Sequence, residues 1–213
     1  VQIDPIEKEP QHHMLSVSRI LCIGTASCNF RCKFCHNWHI SQRAPEETDN
    51  FNLSPSQIVE LAIKSGCPTI SHTYAEPTVH YEYMLDIAKL AQDKGIKNTM
   101  HTCGYINPEP LKELLKYMYA ANVDLKGFSD EFYAKMGSFA KLAPVLETLK
   151  SIKNEGVWLE ITNLVIPGLN DDPGQIEEMC RWIKESLGDE VPLHFSRFMP
   201  AFKLQNLPPT PVE

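Results

Sequence analysis

The sequence lacks a surplus of positive charge. Its 213 residues carry 27 Asp and Glu against 20 Lys and Arg, a formal net charge of −7. The basic face needed by a nucleic-acid or anionic-membrane partner is therefore not expected. No apolar run approaches the roughly 20 residues of a membrane span, and the polar start VQIDPIEKEP does not read as a signal peptide. Internal repeats and low-complexity tracts are missing as well. So is the even, well-spread cysteine set of a secreted disulfide framework. The chain has seven cysteines, and only Cys28, Cys32 and Cys35 cluster. Clustered thiols point to metal ligation in a reducing compartment, so a cytoplasmic location is the expectation.

What is present is ordinary globular composition, 43% hydrophobic and 22% charged. A chain of this size can bury roughly 70% of its unfolded surface, enough for a core without disulfide staples. Strand-like runs at 19–25, 67–73, 96–101, 122–126, 157–166 and 192–198 alternate with helical patterns at 54–64, 79–93, 108–119, 142–154 and 172–187. Ser54, Pro55 and Gln57 spell a capping box with proline at the first helical position. Asp172-Pro173 opens the last helix in a similar way. Strands separated by helices of this length predict an α/β fold with a parallel sheet and right-handed crossovers. Six units predict an incomplete (β/α)6 TIM-like barrel of parallel strands, since eight close the full one; a doubly wound sheet is the alternative. This partial-barrel domain is expected over 17–202, with 1–16 as an extended N-terminal arm and 203–213 as a C-terminal tail.

Active sites of parallel β/α folds sit at the C-terminal strand ends. Polar residues collect there: the three cysteines after the first strand, Tyr74 and Glu76 after the second, Thr102 and Cys103 after the third, Lys126 at the end of the fourth and Arg197 at the end of the sixth. The segment TASCNFRCKFCHNW separates Cys28 from Cys32 by three residues and Cys32 from Cys35 by two. A short loop at this spacing can aim three thiolates at three corners of a cubane cluster. Cubane clusters ordinarily take four cysteines, and no fourth lies nearby, which leaves one iron open. An open position is a catalytic signature. A zinc site completed by His36 or His39 is the competing reading, although His36 directly abuts Cys35; three unrelated core or surface cysteines are another.

The run Cys28-Asn-Phe-Arg-Cys32-Lys-Phe-Cys35 resembles the radical S-adenosylmethionine (SAM) signature, including the aromatic before the last cysteine, and His36-Asn37 is similar to pyruvate formate-lyase activating enzymes. The resemblance extends through DPIEKEP, TYAEPTVHYEYM, GYINPEPL, NVDLKGFS, LEITNLVIPGLNDD and HFSRF, closest to the radical SAM group found beside Memo and AMMECR proteins (the AmmeMemoRadiSam group). It implies a [4Fe-4S] cluster on Cys28, Cys32 and Cys35, with the open iron chelating SAM. It also implies reductive cleavage of SAM to a 5′-deoxyadenosyl radical that abstracts hydrogen, from a protein glycine or from a small metabolite. An electron donor such as flavodoxin or ferredoxin is the implied partner. An iron–sulfur binding or electron-transfer module without turnover is the other class.

The same resemblance implies cofactor contacts. Phe34 stands for the aromatic whose backbone reads adenine, with His36 beside it. Thr73-Tyr74-Ala75-Glu76 falls where the family carries Gly-Gly-Glu, whose carbonyls meet the methionine ammonium and whose Glu supports them. Thr102 matches the activating enzymes, while His101 and Cys103 depart from their Asp-Thr-Asn-Gly. Asp124 and Lys126 match an Asp-Leu-Lys that contacts the methionine end and ribose; a plain salt bridge between strand ends is the alternative. Asn163 stands where those enzymes carry a carboxylate-binding arginine, a charge Arg197 is expected to supply instead. Met199 takes the place of a ribose-binding histidine and is expected to pack against adenine.

Overall fold

The computed structural model describes residues 1–136 and 139–212. Seven strands form one sheet in the order of the chain: β1 (Gln2–Pro5), β2 (Arg19–Ile23), β3 (Thr69–His72), β4 (Lys97–Thr102), β5 (Ala120–Asp124), β6 (Trp158–Val165) and β7 (Leu193–Arg197). β2 to β7 pair parallel, each with the next, and β1 is antiparallel to β2. The sheet curls into a half-barrel and does not close, because β1 and β7, its two edges, do not pair with each other. The partial TIM-like architecture expected from the alternating pattern is therefore the fold.

Helices α2 (Pro55–Lys64), α3 (Tyr81–Asp93), α4 (Pro108–Leu115), α6 (Leu142–Asn154) and α7 (Pro173–Leu187) supply the crossovers. The capping box at α2 forms as the sequence predicts: the Gln57 N–H donates to Ser54 Oγ at 3.3 Å, and the Ser54 N–H donates to Gln57 Oε1 at 2.8 Å. Asp172 caps α7 by accepting from the Gln175 N–H at 2.9 Å. Two short helices carry no clear sequence signal, α1 (Trp38–Ser41) and α5 (Asp130–Met136). α4 stops four residues before the expected end at 119, and β5 starts two residues early at Ala120. A turn between them donates the Tyr119 N–H to the Asn98 carbonyl at 2.8 Å, so the chain joins the sheet sooner than helical periodicity suggests.

Alternation along the strands sorts the core. Leu21, Ile23 and Ile70 point outward and pack under Ile58, Val59 and Ala62 of α2 and Ile87 and Ala91 of α3. Each such Ile or Leu contributes about 1.5–3 kcal/mol on burial. Ile20 and Cys22 point inward and meet Ile6, Met14 and Ala120. The N-terminal segment is thus not an arm lying at the surface. Ile6, Glu9 and Gln11 are almost wholly buried, and the segment runs along the inner face of the sheet. A barrel with six strands leaves its interior unfilled at one end, and these residues fill it. Helix and strand periodicity cannot report that, because the segment follows neither for long.

Candidate functional site

The loop after β2 is fixed by backbone bonds that reach into several elements. The Ser27 N–H donates to the Ile40 carbonyl at 3.0 Å, the Lys33 N–H to the Met136 carbonyl at 3.1 Å, and Asn29 Nδ2 to the Tyr105 carbonyl at 3.1 Å. Held this way, Cys28, Cys32 and Cys35 all line one cavity of about 470 Å³. The Phe30 N–H donates to Cys28 Sγ at 3.3 Å, and Cys35 Sγ lies 3.2 Å from Ser41 Oγ. The neighbouring Cys103 thiol holds the Cys28 pKa below its ordinary value, against the effect of burial. Burial pushes Cys32 up to about 12.

The donor set fits a cubane better than a single ion. A tetrahedral zinc with Zn–S near 2.3 Å would draw its thiolates to about 3.8 Å of one another. Among the described residues, two ligand sets elsewhere gather within 4.8 Å, and the three loop sulfurs are not among them. All seven cysteines are free thiols.

The other strand ends complete the cavity. Thr73, Tyr74 and Ala75 follow β3 along its wall. Tyr74 has φ of 69°, the left-handed region that favours glycine. This is the position where the family resemblance expects glycine, and here a tyrosine is held in the same conformation from both sides. Its hydroxyl donates to Asp4 Oδ2 at 2.6 Å, and its carbonyl accepts from Asn37 Nδ2 at 2.6 Å. Glu76 does not line the cavity but sits buried behind it. It accepts from Thr102 Oγ1 at 2.6 Å, from the Cys103 N–H at 2.7 Å and from the Thr78 N–H at 3.2 Å, which locks the end of β4 to the turn after β3.

Asp124 at the end of β5 lies between two cations. Its Oδ1 is 2.9 Å from His101 Nε2, and its Oδ2 accepts from Lys126 Nζ at 2.7 Å. Burial favours the neutral acid, but the charges of Lys126 and then His101 outweigh it and hold the carboxyl well below its usual range. Burial likewise opposes the His101 imidazolium, and Asp124 overcomes it, raising that pKa. Lys126 also stands 5.8 Å over the Phe34 ring, within cation–π range. The salt-bridge alternative for Asp124 and Lys126 is therefore real, and both residues still face the cavity.

Three expected contacts lie elsewhere. Asn163 is buried on the opposite face of β6, where its Nδ2 donates to the Leu125 carbonyl at 2.7 Å, while Thr162 and Leu164 face the cavity. Arg197 is exposed and donates through Nε to the Thr210 carbonyl at 2.8 Å, and its neighbour Ser196 points inward. Both follow from the two-residue period of a strand, which motif alignment alone does not register. Met199 is 52% exposed and outside the lining. Phe34, His36 and Thr102 do line it. So do Lys8, Glu9 and Pro10, for which the sequence offers a single hint, the place of DPIEKEP in the wider resemblance.

With this geometry in place, comparison with known proteins is specific. The model of the Radical SAM superfamily matches residues 22–183. An uncharacterized protein of Methanocaldococcus jannaschii is 47% identical over 211 residues, covering 99% of this chain and 62% of its own length. The pyruvate formate-lyase-activating enzyme of Clostridium pasteurianum is 25% identical over 160 residues, covering 74% of this chain and 66% of its own. The structure of Streptococcus suis SuiB bound to S-adenosylmethionine shares the fold with a TM-score of 0.69 at 17% identity, covering 96% of this chain and 46% of that one. The chain thus spans less than two thirds of the length of each of these relatives.

Proposed function

The chain belongs to the radical SAM superfamily, and from that premise we propose that it is an enzyme whose Cys28, Cys32 and Cys35 hold a [4Fe-4S] cluster. Members of the superfamily use that cluster together with SAM. When bound, the pair supplies one-electron cleavage of the sulfur–C5′ bond and a 5′-deoxyadenosyl radical for hydrogen abstraction. The observation that carries the reading is the meeting of three thiols of one loop with Lys126, Phe34 and the Thr73–Ala75 wall in a single cavity.

The chain's own residues bind and orient. The Lys126 ammonium, which lines the cavity, would hold the carboxylate of a bound methionine moiety, since a cation beside a carboxylate forms strong charge-assisted bonds. The backbone of 73–75 would supply carbonyl acceptors for its ammonium, with Tyr74 fixing the turn. Glu76 positions this wall from behind. The Phe34 ring packs under Lys126 and excludes water from the loop.

The cavity is of a size for one small ligand. With a cluster on the three thiols and a cosubstrate beside it, little of that volume would remain, so the abstracted hydrogen would be presented at the rim. That favours a segment of another protein as substrate, in keeping with the activating-enzyme relative; a reduced one-electron carrier such as flavodoxin or ferredoxin serves as donor. Free thiols throughout suit the cytoplasm. No helix in the described residues is long and apolar enough to cross a membrane.

The test is anaerobic reconstitution with iron and sulfide, reduction with dithionite and addition of SAM. Formation of 5′-deoxyadenosine supports the enzyme, and Cys32→Ala is expected to abolish it together with the cluster's visible absorption. An intact cosubstrate beside a full cluster points to a module without turnover. A small metabolite that stimulates cleavage where proteins do not would overturn the substrate class.

A further inference from the structure

A second set of ligand-type side chains lies on the inner face of the sheet, away from the cysteine loop. Glu160 of β6 is fully buried. Its carboxylate accepts from the His12 N–H at 3.1 Å, the His13 N–H at 3.0 Å and Trp158 Nε1 at 3.0 Å. His194 of β7 brings Nε2 to 2.7 Å from Oε2. The His13 ring stacks on His194 with centroids 5.6 Å apart, and the His12 ring tilts against it at 4.8 Å. One ligand atom each from His13, Glu160 and His194 falls within 4.8 Å of the others.

The charge at this place needs an answer. Four donors converge on the two Glu160 oxygens, an arrangement suited to a carboxylate. Among the described residues no Lys or Arg pairs with it, and the one ionisable side chain bonded to it is the His194 imidazole. A buried charge is ordinarily paired or coordinates a metal. Two imidazoles and a carboxylate from three separate chain segments are also a zinc-type donor set, and the exposure of His13 leaves a side open to solvent.

We propose that His13, Glu160 and His194 form a zinc site that fastens the N-terminal segment to β6 and β7. Ligation exchanges one contact for another: His194 gives up its Nε2–H bond to Oε2, that proton leaves to solvent or is replaced by one on Nδ1 through tautomer exchange with water, and the freed Nε2 lone pair binds the metal. No electrons are transferred, and the backbone N–H bonds to Glu160 remain. The inference is independent of the cysteine reading, because none of its ligands lies in that loop.

The experiment titrates zinc, and cobalt as a spectroscopic probe, into two forms of the full chain freed of loosely held metal by a chelator. One form carries its reconstituted cluster. The other has Cys28, Cys32 and Cys35 replaced by alanine; circular dichroism reports whether it folds, and the cluster-bearing form carries the titration if it does not. A single equivalent bound, a higher Tm, and cobalt bands free of thiolate charge transfer support the site. His194→Ala and the surface variant His13→Ala are then expected to weaken binding by more than about tenfold. No stoichiometric zinc, thiolate bands with cobalt, or unchanged affinity in both variants overturns the proposal.

Discussion

At the scale of single residues, the site depends on a few side chains doing what their neighbours force on them. Asp124 is the clearest case, because one carboxylate serves both His101 and Lys126. Its folded pKa is depressed, so its contribution to stability is present above about pH 3.9 and is lost as pH falls through the folded value. The His101 pKa is raised, so the contribution of its charge is present below about pH 6.5 and is lost as pH climbs through the folded value. Their mutual stabilisation is fullest between these limits. The Tm difference between the wild type and His101→Asn is therefore expected to be largest near pH 5–6 and to shrink toward pH 8, as thermal melts across that range would register. A gap that widens with pH would contradict the ion pair. This residue was seen in the sequence only as a departure from a motif. Its pairing needs the register that sets His101 of β4 beside Asn122, one strand step from Asp124.

At the scale of elements, what was legible was what is local. Ser54, Pro55 and Gln57 announced α2, and the bonds are there. Ser54→Ala is expected to cost about 1 kcal/mol, read as a shift of the urea midpoint with the slope unchanged. The Cys28–Cys35 spacing is equally local, and the three thiols it carries do line one cavity. Asn163 and Arg197 show the limit. Each sits at a strand end, as a functional residue should, yet each points away from the cavity, because facing is decided by strand register rather than by proximity in sequence. Thr162 and Ser196, one position away in each case, take the inward places. β1 leaves no sequence signal for a related reason. Four residues with one buried position offer no pattern, and the strand exists because the free edge of β2 accepts it.

At the scale of the molecule, the N-terminal segment decides the shape of the interior. Cys22 Sγ lies 3.3 Å from Glu9 Oε1, Asn122 Nδ2 donates to the Pro10 carbonyl at 2.9 Å, and His12 and His13 bind Glu160. Ile6 is its apolar anchor, fully buried against Ile20 and Ala120. Ile6→Ala is expected to destabilise the chain by about 2–5 kcal/mol, measured by chemical denaturation. A loss under 1 kcal/mol would mean the segment is only loosely seated. Lys8, Glu9 and Pro10 also form part of the cavity wall, so this stopper borders the reaction chamber itself. Unseating Ile6 would therefore also displace part of that wall, so loss of the apolar anchor and loss of ligand affinity in the cavity are expected to travel together.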